Sequence, residues 1–193
     1  NKDIELVFDP KINKAFRHGE VIRWLLQRDD GSYIGRIAAF VNKKYSNKGD
    51  KGPIGGVGFF DCIDDQSAAN MLFDTARSWL TTKGVKAMDG PINFGERDRW
   101  WGLLVEGFHS PLYGMNYNPP YYQKLFEQYG FQLFYNFNQS FMKHMQSFLT
   151  SLSLKRCRFA RKTWISMPAI LLQCTTRLGP STKAIRKCRT IRQ

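Results

Sequence analysis

The chain has 193 residues, 42% hydrophobic and 15% aromatic, which is enough apolar material for one domain with a real core. Its net charge of +13 is lopsided. Residues 1–127 hold 17 Lys+Arg against all 16 Asp+Glu, whereas residues 128–193 hold 12 Lys+Arg and no acid. No stretch approaches the ~20 apolar residues of a membrane span, so no membrane partner is expected. Cys62 is the single cysteine before residue 157, which argues against a disulfide framework and for a reducing cytoplasm. There is no initiating Met and no visible signal peptide, and the N-terminus is expected to be cut short.

Residues 1–20 read as a loop and a short helix around Phe8-Asp9-Pro10 and Phe16-Arg17-His18-Gly19. Val21–Arg28 is a strand candidate, Asp29-Asp30-Gly31-Ser32 a turn, and Arg36–Asn42 a second strand, which together predict a hairpin. The Lys-, Asn- and Gly-rich residues 43–56 predict an exposed loop. Val57–Ile63 is apolar on both faces, as a central strand is. Asp64 or Asp65 then caps a helix over about residues 66–83, with Ala68, Leu72, Ala76 and Leu80 on one stripe and Gly84 as its stop. Val85–Ile92 begins as a strand and breaks at Gly90-Pro91. Residues 93–120 predict a long aromatic loop with one helical turn at most. Tyr121–Tyr129 predicts a short helix ended by Gly130, and Phe131–Phe137 a last strand. A strand–helix–strand unit demands a locally parallel pair, so the hairpin makes the sheet mixed. The expected fold class is therefore α/β (α+β), with helices on the sheet faces and an irregular C-terminal tail.

Two segments carry most of the chemistry. Between Asn93 and Trp101, Glu96, Arg97, Asp98 and Arg99 alternate in sign beside Trp100 and Trp101. A cleft there would use an arginine to bind a carboxylate or phosphate and Glu96 or Asp98 as base. A salt-bridged turn plugged by the two tryptophans is the competing structural reading. The segment follows a strand's C-terminal end, where open α/β sheets place ligands. Tyr113, Tyr117, Pro119, Pro120, Tyr121 and Tyr122 form the second cluster, either a groove lining or a packed loop. His18 and His109 lack ligand spacing, and the tail's Cys157, Cys174 and Cys188 lack a Cys-x-x-Cys pair, so no metal is expected. Cys62 on its apolar strand reads as core rather than as nucleophile.

The element order, ending in Leu125-Phe126-Glu127-Gln128-Tyr129-Gly130-Phe131, resembles the GNAT-type N-acetyltransferase superfamily, whose closing helix reads Tyr-Glu-Lys-x-Gly-Phe. The run Asp89-Gly90-Pro91-Ile92-Asn93-Phe94-Gly95-Glu96-Arg97-Asp98-Arg99-Trp100-Trp101-Gly102 looks like an uncharacterised bacterial group within it. The resemblance covers about residues 1–142. It implies a GNAT-like acyltransferase domain, with acetyl-CoA or another acyl-CoA as donor and a small-molecule or peptide amine as acceptor. It further implies that strand edges hold the donor, through Phe60, Asp61 and Cys62 on one side and Gly90, Pro91 and Asn93 on the other. Arg97, Arg99, Trp100, Trp101 and Tyr117 would bind substrate, Glu96 or Asp98 would take the amine's proton, and Tyr122 would supply a phenol.

The sequence departs from the superfamily pattern twice. Its loop into the main helix is normally Gln/Arg-x-x-Gly-x-Gly/Ala, whose amides hold a pyrophosphate at a helix N-terminus. Here it is Cys62-Ile63-Asp64-Asp65-Gln66-Ser67, without glycine and with two carboxylates that repel such a group. The frequent general-acid Tyr aligns with Phe126, leaving Tyr121, Tyr122 or Tyr129 to substitute. A catalytically silent ligand-binding module is therefore the alternative from a different class.

Residues 143–193 form the basic tail. Read one frame over, codons compatible with residues 161–188 permit acids and helical apolar spacing. The expectation is a slipped or disordered tail, with the slip between about residue 143 and residue 160. A genuine tail would instead bind nucleic acid or another polyanion.

Overall fold

The computed structural model describes residues 2–44, 52–95, 102–111, 116–139, 152–160 and 186–187. A short helix α1 (Lys2–Val7) and one turn of 3-10 helix (Lys14–Arg17) lead into the sheet. Strands β1 (Gly19–Gln27) and β2 (Tyr33–Asn42) form the expected hairpin, turning at Gly31 with φ 87°. Strand β3 (Ile54–Cys62) pairs antiparallel with β2 and begins three residues earlier than periodicity indicated. Its first turn of sequence is Ile-Gly-Gly, which reads as loop. Gly55 and Gly56 are needed because a Cβ there would meet Leu80 and the Phe40 ring.

Helix α2 (Gln66–Thr82) crosses from β3 to β4 (Ala87–Gly90), which runs parallel to β3. Asp65, not Asp64, is the cap: its carboxylate accepts from the N–H groups of Ser67 at 2.8 Å and Ala68 at 3.4 Å. The α2 stripe Ala68, Leu72, Phe73, Ala76 and Leu80 is buried against the sheet. Phe73 sits at the centre, stacked on Phe60 at 4.8 Å and edge-on to Phe126 at 4.8 Å. Helix α3 (Tyr122–Tyr129) packs beside α2 and ends at Gly130 with φ 108°, the left-handed cap that glycine adopts without strain.

Three strands revise the sequence expectation. Leu103–Glu106 is β5, inside the segment expected to be loop. Gln132–Gln139 is β6, the last strand expected over Phe131–Phe137. Leu152–Ala160 is β7, inside the tail expected to be irregular, and Arg186–Lys187 (β8) pairs with β1. Along β7, β6 takes one edge, while β4 and β5 lie end to end on the other. Ladder hydrogen bonds belong to the backbone, so a strand with neighbours on both edges needs little side-chain periodicity. The result is a mixed sheet, antiparallel except at β3–β4, with helices packed against it: α+β, as expected.

Candidate functional site: a cavity where two parallel strands part

The β3–β4 register runs from Ile54 with Ala87 to Gly56 with Asp89 and goes no further. Beyond it the chain after β4 is pinned against β3 differently. Ile92 donates its N–H to the Val57 carbonyl at 2.9 Å, and Gly58 is required because a Cβ there would overlap the Ile92 carbonyl. Gly90 likewise sits against Val57. The Gly90–Pro91 peptide is cis. Past this pinch a cavity of about 290 Å³ opens, at the small end of ligand-sized pockets.

The cavity has an apolar wall and a polar one. Phe59, Phe60, Ile92, Leu103 and Phe126 make the first, and Arg36, Asp61, Asn116, Asn118 and Tyr122 the second. Tyr122 is the best-held polar group. Its phenol accepts the Cys62 N–H at 3.1 Å and donates to Asp61 Oδ1 at 2.8 Å. Burial raises its pKa, only partly offset by the Cys62 N–H, so the phenol stays protonated. Asp61 also faces Arg36, with Nη2 to Oδ2 at 3.5 Å. The Asp61 side chain is 60% exposed, so this carboxylate is reachable from solvent.

The rest of the polar wall is held by side-chain amides. Asn118 accepts from the Leu104 N–H at 2.8 Å and donates to the Leu104 carbonyl at 3.1 Å, copying a strand pair along β5. Asn116 donates to the Gly102 carbonyl at 2.8 Å. These bonds lay residues 116–119 beside β5 and bring Tyr117 and Pro119 to the cavity.

The structure thus gathers Phe60, Asp61, Pro91, Tyr117 and Tyr122 of the sequence-derived site around one space. Glu96, Arg97, Asp98, Arg99, Trp100 and Trp101 lie outside the described residues, though Ile92 and Gly102 on either side line the cavity. Part of the backbone expected to hold a donor is paired within the chain. Cys62 uses its N–H on Tyr122 and its carbonyl on the Tyr121 phenol at 2.8 Å. Gly90 is registered opposite Cys157 of β7, and the Pro91 carbonyl accepts the Gly102 N–H at 2.7 Å. β7, hidden in the tail, takes the edge of β4 that faces away from β3. Asn93 lies beside the pinch and does not line the cavity. Cys62 itself is 3% exposed, and burial together with the Asp65 and Asp61 carboxylates pushes its thiol up to about 12, so it is a core residue.

Arg36, Asn116 and Asn118 were missed. The Asn-x-Asn before Pro119-Pro120 was the available signal, since amide side chains can satisfy an exposed strand edge. Among the described residues no His/Cys/Asp/Glu cluster could hold a metal ion, and no helix is long and apolar enough to cross a membrane.

Fold and cavity together describe a mixed α+β domain with a ligand-sized space where its two parallel strands part. The chain is similar to a bacterial ceramide synthase from Caulobacter vibrioides, at 32% identity over 123 residues. That match covers 63% of this chain, which spans about a third (32%) of the length of that relative. A solved structure of yncA from Salmonella typhimurium, assigned as an acetyltransferase and bound to its cofactor acetyl-CoA, aligns with TM-score 0.40 and 13% identity. The alignment covers 68% of this chain and 60% of that one. No family model matches the chain.

Proposed function

We propose that this chain is an N-acyltransferase domain that moves an acyl group from a thioester to an amine. The observation that carries this reading is the protonated Tyr122 phenol, held between the Cys62 N–H and the solvent-reachable Asp61 carboxylate on the wall of an otherwise apolar cavity. In the reaction the amine nitrogen attacks the thioester carbonyl, a C–N bond forms and the C–S bond breaks. Asp61 takes the proton that the amine loses. Tyr122 gives its proton to the departing sulfur and is reprotonated by Asp61. Protonating Asp61 also removes the adjacent negative charge that holds the phenol's proton, so the two steps help each other. Glu96 or Asp98 remains a proposed base in place of Asp61. The similarity to a ceramide synthase supports N-acylation and favours an amine acceptor with a long alkyl chain.

The donor's nucleotide half fits less well than its thioester half. The amides of Ser67 and Ala68, which would meet a pyrophosphate at the α2 N-terminus, already bind the Asp65 carboxylate. This favours a carrier-bound thioester over acetyl-CoA or another free acyl-CoA. It also favours the second reading, a silent binding module that uses the same cavity. Thiol release from a thioester, with and without amine, separates the two: a binding module takes up ligand and releases no thiol.

For the tail we propose that a frame slip, if present, follows Ala160, since β7 completes the sheet up to that residue. Resequencing codons 140–165 tests it. An intact frame would leave the +12 segment as a candidate polyanion surface, with binding that weakens steeply with salt.

A further inference from the structure

A second cavity, of about 270 Å³, adjoins the first. The two share Ile4, Arg36 and Phe59 in their linings. The second is walled by Phe8, Trp24, Leu25 and Ile37, with Glu5 and Arg23 on its outer side. It lies over β1 and β2, away from Tyr122, so nothing in the proposed chemistry uses it.

Phe59 stands between the two spaces, and its backbone is unusual. Its φ is 50°, a left-handed conformation that a bulky residue rarely adopts. It falls where the β2–β3 register shifts, between Arg36 opposite Asp61 and Ala38 opposite Gly58, so the bulge aims its side chain. The ring is then locked from behind. Phe8 lies 4.9 Å from it, Arg23 sits over Phe8 at 4.5 Å, and Glu5 holds Arg23 with two bonds of 2.9 and 3.1 Å. A strained residue that its surroundings hold in place is a reason to look for a function at that point.

We propose that Phe59 is the chain-length stop of the acyl site: acyl groups that fit the first cavity are accepted, and Phe59 bars longer ones from the second. The inference rests on the acyltransferase reading above. The shared ligand chemistry is a saturated alkyl chain, which the acyl donor or the amine could bring. We assign it to the donor because the carbonyl must lie beside Tyr122, on the near side of Phe59.

The test is calorimetric titration of the full chain with S-acyl N-acetylcysteamine thioesters from acetyl to dodecanoyl, and with the matching n-alkylamines. In the native protein, affinity should rise about fourfold per methylene and then stop rising at a short acyl length. Phe59→Gly, which suits the positive φ and removes the ring, should move that limit to longer acyl chains. It should raise dodecanoyl affinity at least about tenfold. Adding Leu25→Trp to fill the second cavity should restore the short limit, a reversal that general loosening does not produce. Phe59→Leu gives an intermediate limit and serves if the glycine variant does not fold. A limit that stays put in both Phe59 variants, with thioesters still binding, overturns the stop while leaving the acyltransferase reading intact. A shift seen with the amines alone overturns the assignment to the donor. Binding by no thioester in any variant overturns both readings.

Discussion

Helix α3 carries two tyrosines two turns apart, and each donates a hydrogen bond of 2.8 Å to an aspartate, yet the two pairs sit in opposite surroundings. Tyr129 binds Asp74, which Arg77 neutralises at 2.8 Å with side chains only 23% and 15% exposed. Phe73 and Phe131 flank the Tyr129 ring at 4.8 and 5.9 Å. Tyr122 binds Asp61, whose partner Arg36 stands off at 3.5 Å and is 46% exposed. The first arrangement is closed and closes the core. The second leaves a carboxylate facing a cavity. The same pair of residue types is structural in one place and available for chemistry in the other, and what decides is the neighbouring cation and the space.

Substitutions sharpen that contrast. Asp74→Ala leaves Arg77 largely buried without its carboxylate and should cost about 3 kcal/mol in denaturant unfolding, with the rate per folded molecule unchanged. Asp61→Asn should do the reverse: acyl transfer falls about 100-fold, equivalent to about 2.7 kcal/mol, while the unfolding midpoint barely moves. If Asp61→Asn destabilises as much as Asp74→Ala, the two regions are alike and the contrast fails.

Alkaline pH probes what both regions share. Burial raises the pKa of Cys62, Tyr122 and Tyr129 above their ordinary values. Such groups bind more protons folded than unfolded. Their stabilisation is complete below the unfolded pKa and is lost as pH rises through the folded one. Stability should therefore hold steady to about pH 9, the ordinary value for a thiol, and then fall by up to about 1.4 kcal/mol per pH unit for each group. Unfolding titrations across pH 8 to 11 that stay flat would contradict this. The smallest effect belongs to Glu5→Ala, since the Glu5 carboxylate is 63% exposed and an exposed pair contributes about 0.5 kcal/mol.

Much of the fold was readable from residue patterns because several signals are local. The hairpin follows from Asp-Asp-Gly-Ser, α2 from an acidic cap and a four-residue apolar stripe, and α3 from Gly130. The strands that escaped were those whose reasons lie elsewhere in the chain. Leu103–Glu106 is four residues without alternation and is held by β7 and by Asn118. Leu152–Ala160 carries Lys155, Arg156 and Arg158, yet it has partners on both edges. The site was half legible. Tyr122 was expected to supply a phenol and Asp61 only a strand edge, and Arg36 reads as an ordinary strand arginine until β2 meets β3. The partner of Gly90 was not foreseen because β7 is concealed in an acid-free tail.

The most direct test of the acyltransferase reading is thiol release by the full chain from a butanoyl thioester, short enough for the first cavity, with and without a long-chain amine. The account predicts amine-dependent release and amide product, lost in Asp61→Asn and reduced in Tyr122→Phe. Release by neither a carrier-bound nor a free acyl thioester, or release that Asp61→Asn leaves unchanged, would contradict it.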